Sequence, residues 1–195
     1  MKQRIAILKY NAGNSTSLNY ALARLGIEAI LTDDPRELLK ADKVIFPGVG
    51  EASSAMKYLK TQNLDSLIPQ LTQPVLGICL GMQLMCNSSQ EGNTTGLKIF
   101  DTEVKRFPAK GIIPHTGWNS LSNTKSPLMD GVEPNDDFYF VHSFYAATCT
   151  QTIAECDYLL PFSAALQKDN FFGAQFHPEK SGKTGERILQ NFIDL

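Results

Sequence analysis

The sequence of 195 residues predicts an α/β fold in three layers: a mainly parallel central sheet with helices on both faces, and extra antiparallel strands in the C-terminal half. Three observations carry that prediction. Over the first half, short apolar runs alternate with segments of helical periodicity, the pattern of parallel strands joined by crossover helices. Those runs are continuously apolar rather than alternating, as strands covered on both faces are. In the second half, short apolar stretches are broken by glycine, proline and asparagine and become densely aromatic, which favours strands. The length suits one domain spanning residues 1–195, without repeats, low-complexity tract or linker.

Each element follows from its residues. Arg4–Leu8 reads as a first strand and Lys9–Asn14 as the loop after it. Ser15 or Ser17 is expected to cap a helix with Leu18, Ala21, Leu22 and Leu25 on one face, stopped by Gly26. Ile27–Leu31 is a second strand, and Asp34-Pro35 opens a short helix through Leu39. Val44–Phe46 is a third strand ending in Pro47-Gly48-Val49-Gly50. Ala52, Ala55, Met56 and Leu59 carry helical spacing. Asn63–Leu71 is a short helix that Pro69 should distort. Pro74 then introduces the apolar run Val75–Ile78, and Leu80–Met85 has the long unbranched residues of a helix. Later strands are expected within 97–107 and 111–121, at Phe138–Tyr145, Ile153–Cys156, Ser163–Gln167 and Phe171–Phe176. A closing helix should turn Ile188, Leu189, Phe192 and Ile193 inward.

Composition removes several classes of function. Lysine and arginine number 18 against 20 aspartate and glutamate, a net charge of −2, so neither a nucleic acid nor an anionic membrane is the expected partner. No apolar run approaches the roughly 20 residues of a membrane span, and the N-terminus lacks a signal-peptide core. Cys79, Cys86, Cys149 and Cys156 include no C-x-x-C pair, so no metal site is expected. A reduced cytoplasmic setting fits.

The stretch Gly77-Ile78-Cys79-Leu80-Gly81 concentrates the chemistry. A cysteine flanked by glycines at a strand-to-helix junction has the form of a nucleophile elbow, with sulfur in place of serine oxygen. The helix N-terminus beyond it favours thiolate. Such a nucleophile needs a base and the base an orienting partner. Among three histidines, His177 follows an apolar strand, and Glu179 is expected on the same side of an extended segment that Pro178 helps maintain. Donors for a tetrahedral oxyanion are expected from the Leu80 N–H and from Gly48-Val49-Gly50, whose glycines let backbone N–H groups turn toward a ligand.

Together Phe46–Gly50, Gly77–Gln83 and Gln175–Ser181 resemble the class I, triad-type glutamine amidotransferases along essentially the whole chain. Pro47–Gly50, Met82, Pro114–Asn119 and Tyr139–Ser143 are similar to the glutaminase subunits of imidazole glycerol phosphate synthase within that family. The resemblance implies that Cys79 attacks the glutamine amide, that His177 shuttles the proton and that Glu179 orients it. It implies that the Gly48–Val49 peptide reorients before catalysis. Gly50, Gln83, Glu91 and the backbone around His142, Ser143 and Phe144 would hold L-glutamine, without a cofactor. Ammonia would pass to a (β/α)₈ cyclase subunit in a heterodimer, to form imidazole glycerol phosphate and AICAR in histidine biosynthesis. Asn11, Asn14, Trp118 and Lys180 match positions facing that subunit.

Lys9, Gln90 and Thr116 depart from the family pattern. They leave open an alternative, a paralogous subunit serving a different synthase, for example in sugar modification. Among the remaining residues, Cys86 is expected on one helix face with Cys79 and in the core. Cys149 and Cys156 read as buried or incidental thiols, and His115 and Trp118 as packing around a turn.

Overall fold

A computed structural model describes residues 3–11 and 13–195. Ala12 in the first loop, and Met1 and Lys2 ahead of the first strand, lie outside the described residues. Chain order is β1 (Ile5–Leu8), α1 (Ser15–Arg24), β2 (Ala29–Thr32), α2 (Pro35–Lys40), β3 (Lys43–Phe46), α3 (Ala52–Thr61), α4 (Leu64–Leu67), β4 (Val75–Ile78) and α5 (Leu80–Leu84). There follow β5 (Cys86–Ser89), β6 (Thr94–Thr95), β7 (Phe100–Arg106), β8 (His115–Ser120), β9 (Asp137–His142), β10 (Phe144–Ala146), β11 (Thr152–Tyr158), β12 (Leu160–Lys168), β13 (Phe171–Ala174) and α6 (Gly182–Asp194).

Seven strands form the central sheet in the order β11-β12-β13-β4-β3-β1-β2. From β13 to β2 every neighbouring pair is parallel, while β12 and β11 add antiparallel to that edge. Both faces are covered, because successive side chains of a strand point to opposite sides. Ile5 and Ile7 enter one core with Leu18, Leu22, Ile188 and Phe192 from α1 and α6. Ala6 and Leu8 enter the other with Leu38, Ala55, Met56 and Leu59 from α2 and α3. The expected three-layer α/β architecture is what forms.

Register places the functional segments. Phe46 pairs with Gly77, and Gly77 and Ile78 pair with Gly173 and Ala174. The carboxyl ends of β3, β4 and β13 therefore lie side by side, and three segments leave them together: Pro47–Gly50, Cys79 and Gln175–Glu179. Clefts beyond the carboxyl ends of parallel strands are where α/β sheets bind ligands.

Several local expectations need correction. Neither Ser15 nor Ser17 caps α1; the N-cap is Asn14, in a left-handed conformation (φ 80) and without a side-chain bond to the helix. Its amide is used elsewhere. Cys86 is not on the helix face of Cys79: the helix ends at Leu84 and Cys86 opens β5, although it is fully buried as expected. The aromatic run 138–145 is two strands, broken at Ser143, in two different sheets. The second strand starts two residues later than expected, at Ala29, and the last ends at Ala174. Pro69 distorts its helix as anticipated, turning residues 68–70 into a 3₁₀ segment.

Candidate active site

Cys79 occupies the junction of β4 and α5 with φ 51 and ψ −106, a backbone conformation costly for a residue with a side chain. Its neighbours make the turn possible. A Cβ on Gly81 would lie 1.9 Å from the Phe46 carbonyl oxygen, and one on Gly77 2.7 Å from the Met82 nitrogen. Hydrogen bonds pin the junction, Cys79 N–H to Ala174 O at 2.7 Å and Gln83 N–H to Cys79 O at 3.1 Å. The sequence reading of an elbow thus describes the local geometry.

His177 is completely buried just beyond β13. Its Nδ1 lies 2.7 Å from Glu179 Oε1. The two side chains meet differently from the expectation, because Pro178–Lys180 forms a 3₁₀ turn rather than an extended segment. Only His177 keeps extended dihedrals (φ −100, ψ 96), and the turn folds Glu179 back onto the ring. Its backbone is held from both ends: His177 N–H donates to Tyr139 O at 2.9 Å, and the Ser181 hydroxyl donates to His177 O at 2.7 Å.

The second ring nitrogen, Nε2, is buried without a completed hydrogen bond, as is Glu179 Oε2. Burial alone would lower the His177 pKa. The negative charge of the Cys79 sulfur and its contact with the ring, then the bond and charge of Glu179, outweigh it and raise the pKa to about 10. The balance favours the imidazolium form of His177. The Asn14 amide also donates to Glu179 Oε1 and lies 3.4 Å from His177 Nδ1. That use explains why Asn14 leaves helix α1 uncapped.

The cleft in front of Cys79 has a volume of about 290 Å³ and is lined by Val49, Gly50, Leu80, Gln83, Glu91, Pro114 and residues 141–144. All the residues expected to hold the substrate, Gly50, Gln83, Glu91, His142, Ser143 and Phe144, meet there with two of the three expected oxyanion residues, Val49 and Leu80. Gln83 Nε2 donates to Phe144 O at 2.9 Å, and Glu91 Oε2 accepts from Ala52 N–H at 2.9 Å. Burial is the main influence raising the Glu91 pKa.

The N–H expected to donate to an oxyanion is already engaged within the chain. Leu80 N–H, the expected first donor, is bonded to Gly48 O at 3.3 Å. The Gly48–Val49 peptide thus turns its carbonyl, not its N–H, toward the nucleophile's neighbour, and Val49 O accepts from Gly13 N–H at 3.3 Å. Tyr10 buttresses this strand: its buried hydroxyl donates to Pro47 O at 2.5 Å, and its ring packs edge-on against Phe46. Burial, then the charge of Cys79, hold the Tyr10 pKa well above its ordinary value, so the phenol remains a donor.

The residues expected at a partner face make the following contacts. Lys180 Nζ sits 5.8 Å from the Tyr139 ring centre, Trp118 meets the same ring edge-on, and Trp118 is 56% exposed. The Asn14 amide donates to Glu179, the chain neighbour of Lys180. The Asn11 amide donates to Ser54 O near the start of α3. His115 is packing, as expected, stacked between Tyr158 and Phe140, whereas Trp118 is largely exposed. Cys156 is buried and Cys149 partly so, and none of the four cysteines is in a disulfide. Among the described residues, no cluster of histidine, cysteine or carboxylate side chains has the form of a metal site.

Two further residues of the site are given no role by the sequence, although Gln175 opens one of the motifs that carry the resemblance. Tyr10 stands in a segment that reads only as a loop. Gln175, fully buried, has its Nε2 3.5 Å from Cys79 Sγ; the available signal is a glutamine inside the apolar run Phe171–Phe176.

A strained cysteine at a strand-to-helix turn, with a buried histidine–glutamate pair beside it, has the geometry of a triad-type thiol site. The chain belongs to the class-I glutamine amidotransferase family, whose model matches residues 7–195. More particularly, its curated relatives include imidazole glycerol phosphate synthase subunits HisH. The chain is 59% identical to that of Bacteroides thetaiotaomicron over 195 residues, covering 98% of this chain and all of the relative. It is 46% identical to that of Colwellia psychrerythraea over 206 residues, covering 97% and 92%. Solved structures share the fold at lower identity. A glutamine amidotransferase of Thermotoga maritima superposes with TM-score 0.67 at 17% identity, covering all of this chain and 84% of the other.

Proposed function

We propose that this chain is the glutaminase subunit of imidazole glycerol phosphate synthase, a single amidotransferase domain over residues 1–195. The observation that carries the reading is buried His177, bonded through Nδ1 to Glu179 and with Nε2 left to Cys79. The Cys79 thiolate attacks the side-chain amide carbon of L-glutamine, and the carbonyl electron pair moves to oxygen. His177 gives its proton to the departing nitrogen as the C–N bond breaks, so ammonia leaves and a glutamyl thioester remains. The neutral imidazole next takes a proton from water, whose oxygen attacks the thioester. The C–S bond breaks, glutamate departs and the thiolate–imidazolium pair is restored. Gly50, Gln83, Glu91 and residues 142–144 hold the substrate. No cofactor takes part.

The oxyanion donors are incomplete while Gly48 O occupies the Leu80 N–H. Rotation of the Gly48–Val49 peptide exchanges that carbonyl for an N–H, and docking of the (β/α)₈ cyclase subunit drives it. Trp118, Lys180, Asn14 and Asn11 face that subunit in the heterodimer. Cytoplasmic residence fits the reading; among the described residues no helix is long and apolar enough to cross a membrane. The relatives' shared name favours this acceptor over a sugar-modifying synthase. The test is co-purification with a cyclase subunit, followed by assay of imidazole glycerol phosphate formed from glutamine. Product formation supports the reading. A tight complex that makes none, or no complex at all, refutes it.

A further inference from the structure

We propose that Gln175 is a further catalytic residue of this site: a fixed, uncharged N–H donor to the Cys79 sulfur. This rests on the reading of Cys79 as nucleophile. The contact is geometric, with Gln175 Nε2 3.5 Å from Cys79 Sγ and both groups buried.

Polarity follows from the surrounding bonds. The Phe144 carbonyl can only accept, and it receives His142 Nδ1–H at 2.7 Å and Gln83 Nε2–H at 2.9 Å. Gln83 must therefore present its nitrogen on that side. The same nitrogen donates to Gln175 Oε1 at 2.9 Å. With its oxygen so engaged, the Gln175 amide has only its N–H₂ end to offer the sulfur. Its backbone is clamped as well, since Gln175 N–H donates to Ala164 O at 2.8 Å while the preceding carbonyl, Ala174 O, accepts from Cys79 N–H at 2.7 Å. A buried amide with one oxygen bond and one sulfur contact has no further partner to justify its desolvation.

The chemistry differs from that of His177. An imidazolium beside a thiolate can return its proton and quench the nucleophile. A carboxamide cannot, so Gln175 favours the anionic sulfur in the resting enzyme. When the S–C bond forms, the sulfur gives up its charge and the contact weakens. When the thioester C–S bond breaks, the electron pair returns to a sulfur that already has a donor aimed at it.

The experiment is the pH profile of iodoacetamide alkylation of Cys79 in the intact chain, located by mass spectrometry of the modified peptide. Gln175→Met keeps the length and removes the donor; its profile should move up by about one pH unit, with the rate at neutral pH falling several-fold. Gln175→Glu keeps the shape and places a carboxylate against the sulfur, so its profile should move further in the same direction. Where Gln175→Met fails to fold, Gln175→Glu decides. Profiles coincident with wild type in a folded variant overturn the assignment. A wild-type Cys79 that alkylates no faster than a free thiol refutes instead the nucleophile reading beneath it.

Discussion

At the residue scale, the site depends on how few polar atoms are left over. His177 and Glu179 bury almost all of their polar atoms, and the two without completed bonds are His177 Nε2 and Glu179 Oε2. A buried unpaired nitrogen is costly unless it has a use, and here it faces the sulfur. Removing the sulfur in Cys79→Ala should reduce glutamine hydrolysis by a factor on the order of 10⁴ or more, measured as glutamate released with the partner present. Glu179→Gln should leave the chain folded and lower turnover by about 10³- to 10⁴-fold, by loosening the ring's orientation. The His177 pair also has a pH signature. Its pKa is raised in the folded state, so the stability it contributes is complete below the ordinary value of 6.5 and is lost as pH rises through about 10. Cys79→Ala removes the largest influence raising that pKa. Its melting temperature should therefore begin to fall at lower pH than that of wild type, and superimposable pH–melting curves would contradict the ion pair.

At the element scale, the junction after β4 is where packing tolerance is smallest. Gly81→Ala would drive a methyl group into the backbone carbonyl of Phe46, which neither strand nor helix can escape by a side-chain rotation. A loss of about 3 kcal/mol or more in urea unfolding is expected. The aromatic layer under β8 and β9 makes a second prediction. His142 Nδ1 must donate to the Phe144 carbonyl, so its Nε2 accepts from His115 Nδ1 at 3.2 Å. Burial lowers the His115 pKa to about 4 and the His142 pKa to about 3. Both rings therefore stay neutral through pH 5, and the fold loses stability as pH drops from 6.5 toward those values. Nitrogen NMR of the imidazoles checks this, and a ring titrating near 6.5 would contradict it.

At this scale the sequence is informative wherever a residue's neighbours in the chain set its conformation. The elbow, the Asp34-Pro35 helix start and the distortion at Pro69 are of that kind. The departures come from long-range partners. Ser15 and Ser17 are good caps by local rules, yet Asn14 takes the position and gives its amide to Glu179, far away in sequence. His177 and Glu179 do pair, but by a turn rather than an extended segment. Gln175 owes its role to three elements that meet only in the folded chain. The split at Ser143 is likewise decided by two sheets competing for one aromatic run.

At the scale of the whole molecule, the carboxyl ends of three neighbouring parallel strands gather Cys79, His177 and Pro47–Gly50 from widely separated parts of the chain. The same arrangement lets a distant contact act on the chemistry. The Gly48–Val49 peptide is held in its present orientation by one hydrogen bond, from Leu80 N–H to Gly48 O, and the next peptide by one from Gly13 N–H to Val49 O; exchanging these bonds leaves the core undisturbed. An oxyanion donor is worth about 10²- to 10³-fold in turnover. That factor is therefore the rate increase expected when the strand turns.

The most direct test of this account is glutamine hydrolysis by the isolated chain, compared with the same chain saturated by its cyclase partner and the cyclase's nucleotide ligand. The account predicts slow turnover alone and a rise of about 10²- to 10³-fold in the complex, abolished in Cys79→Ala. Equal, rapid turnover with and without the partner would contradict it.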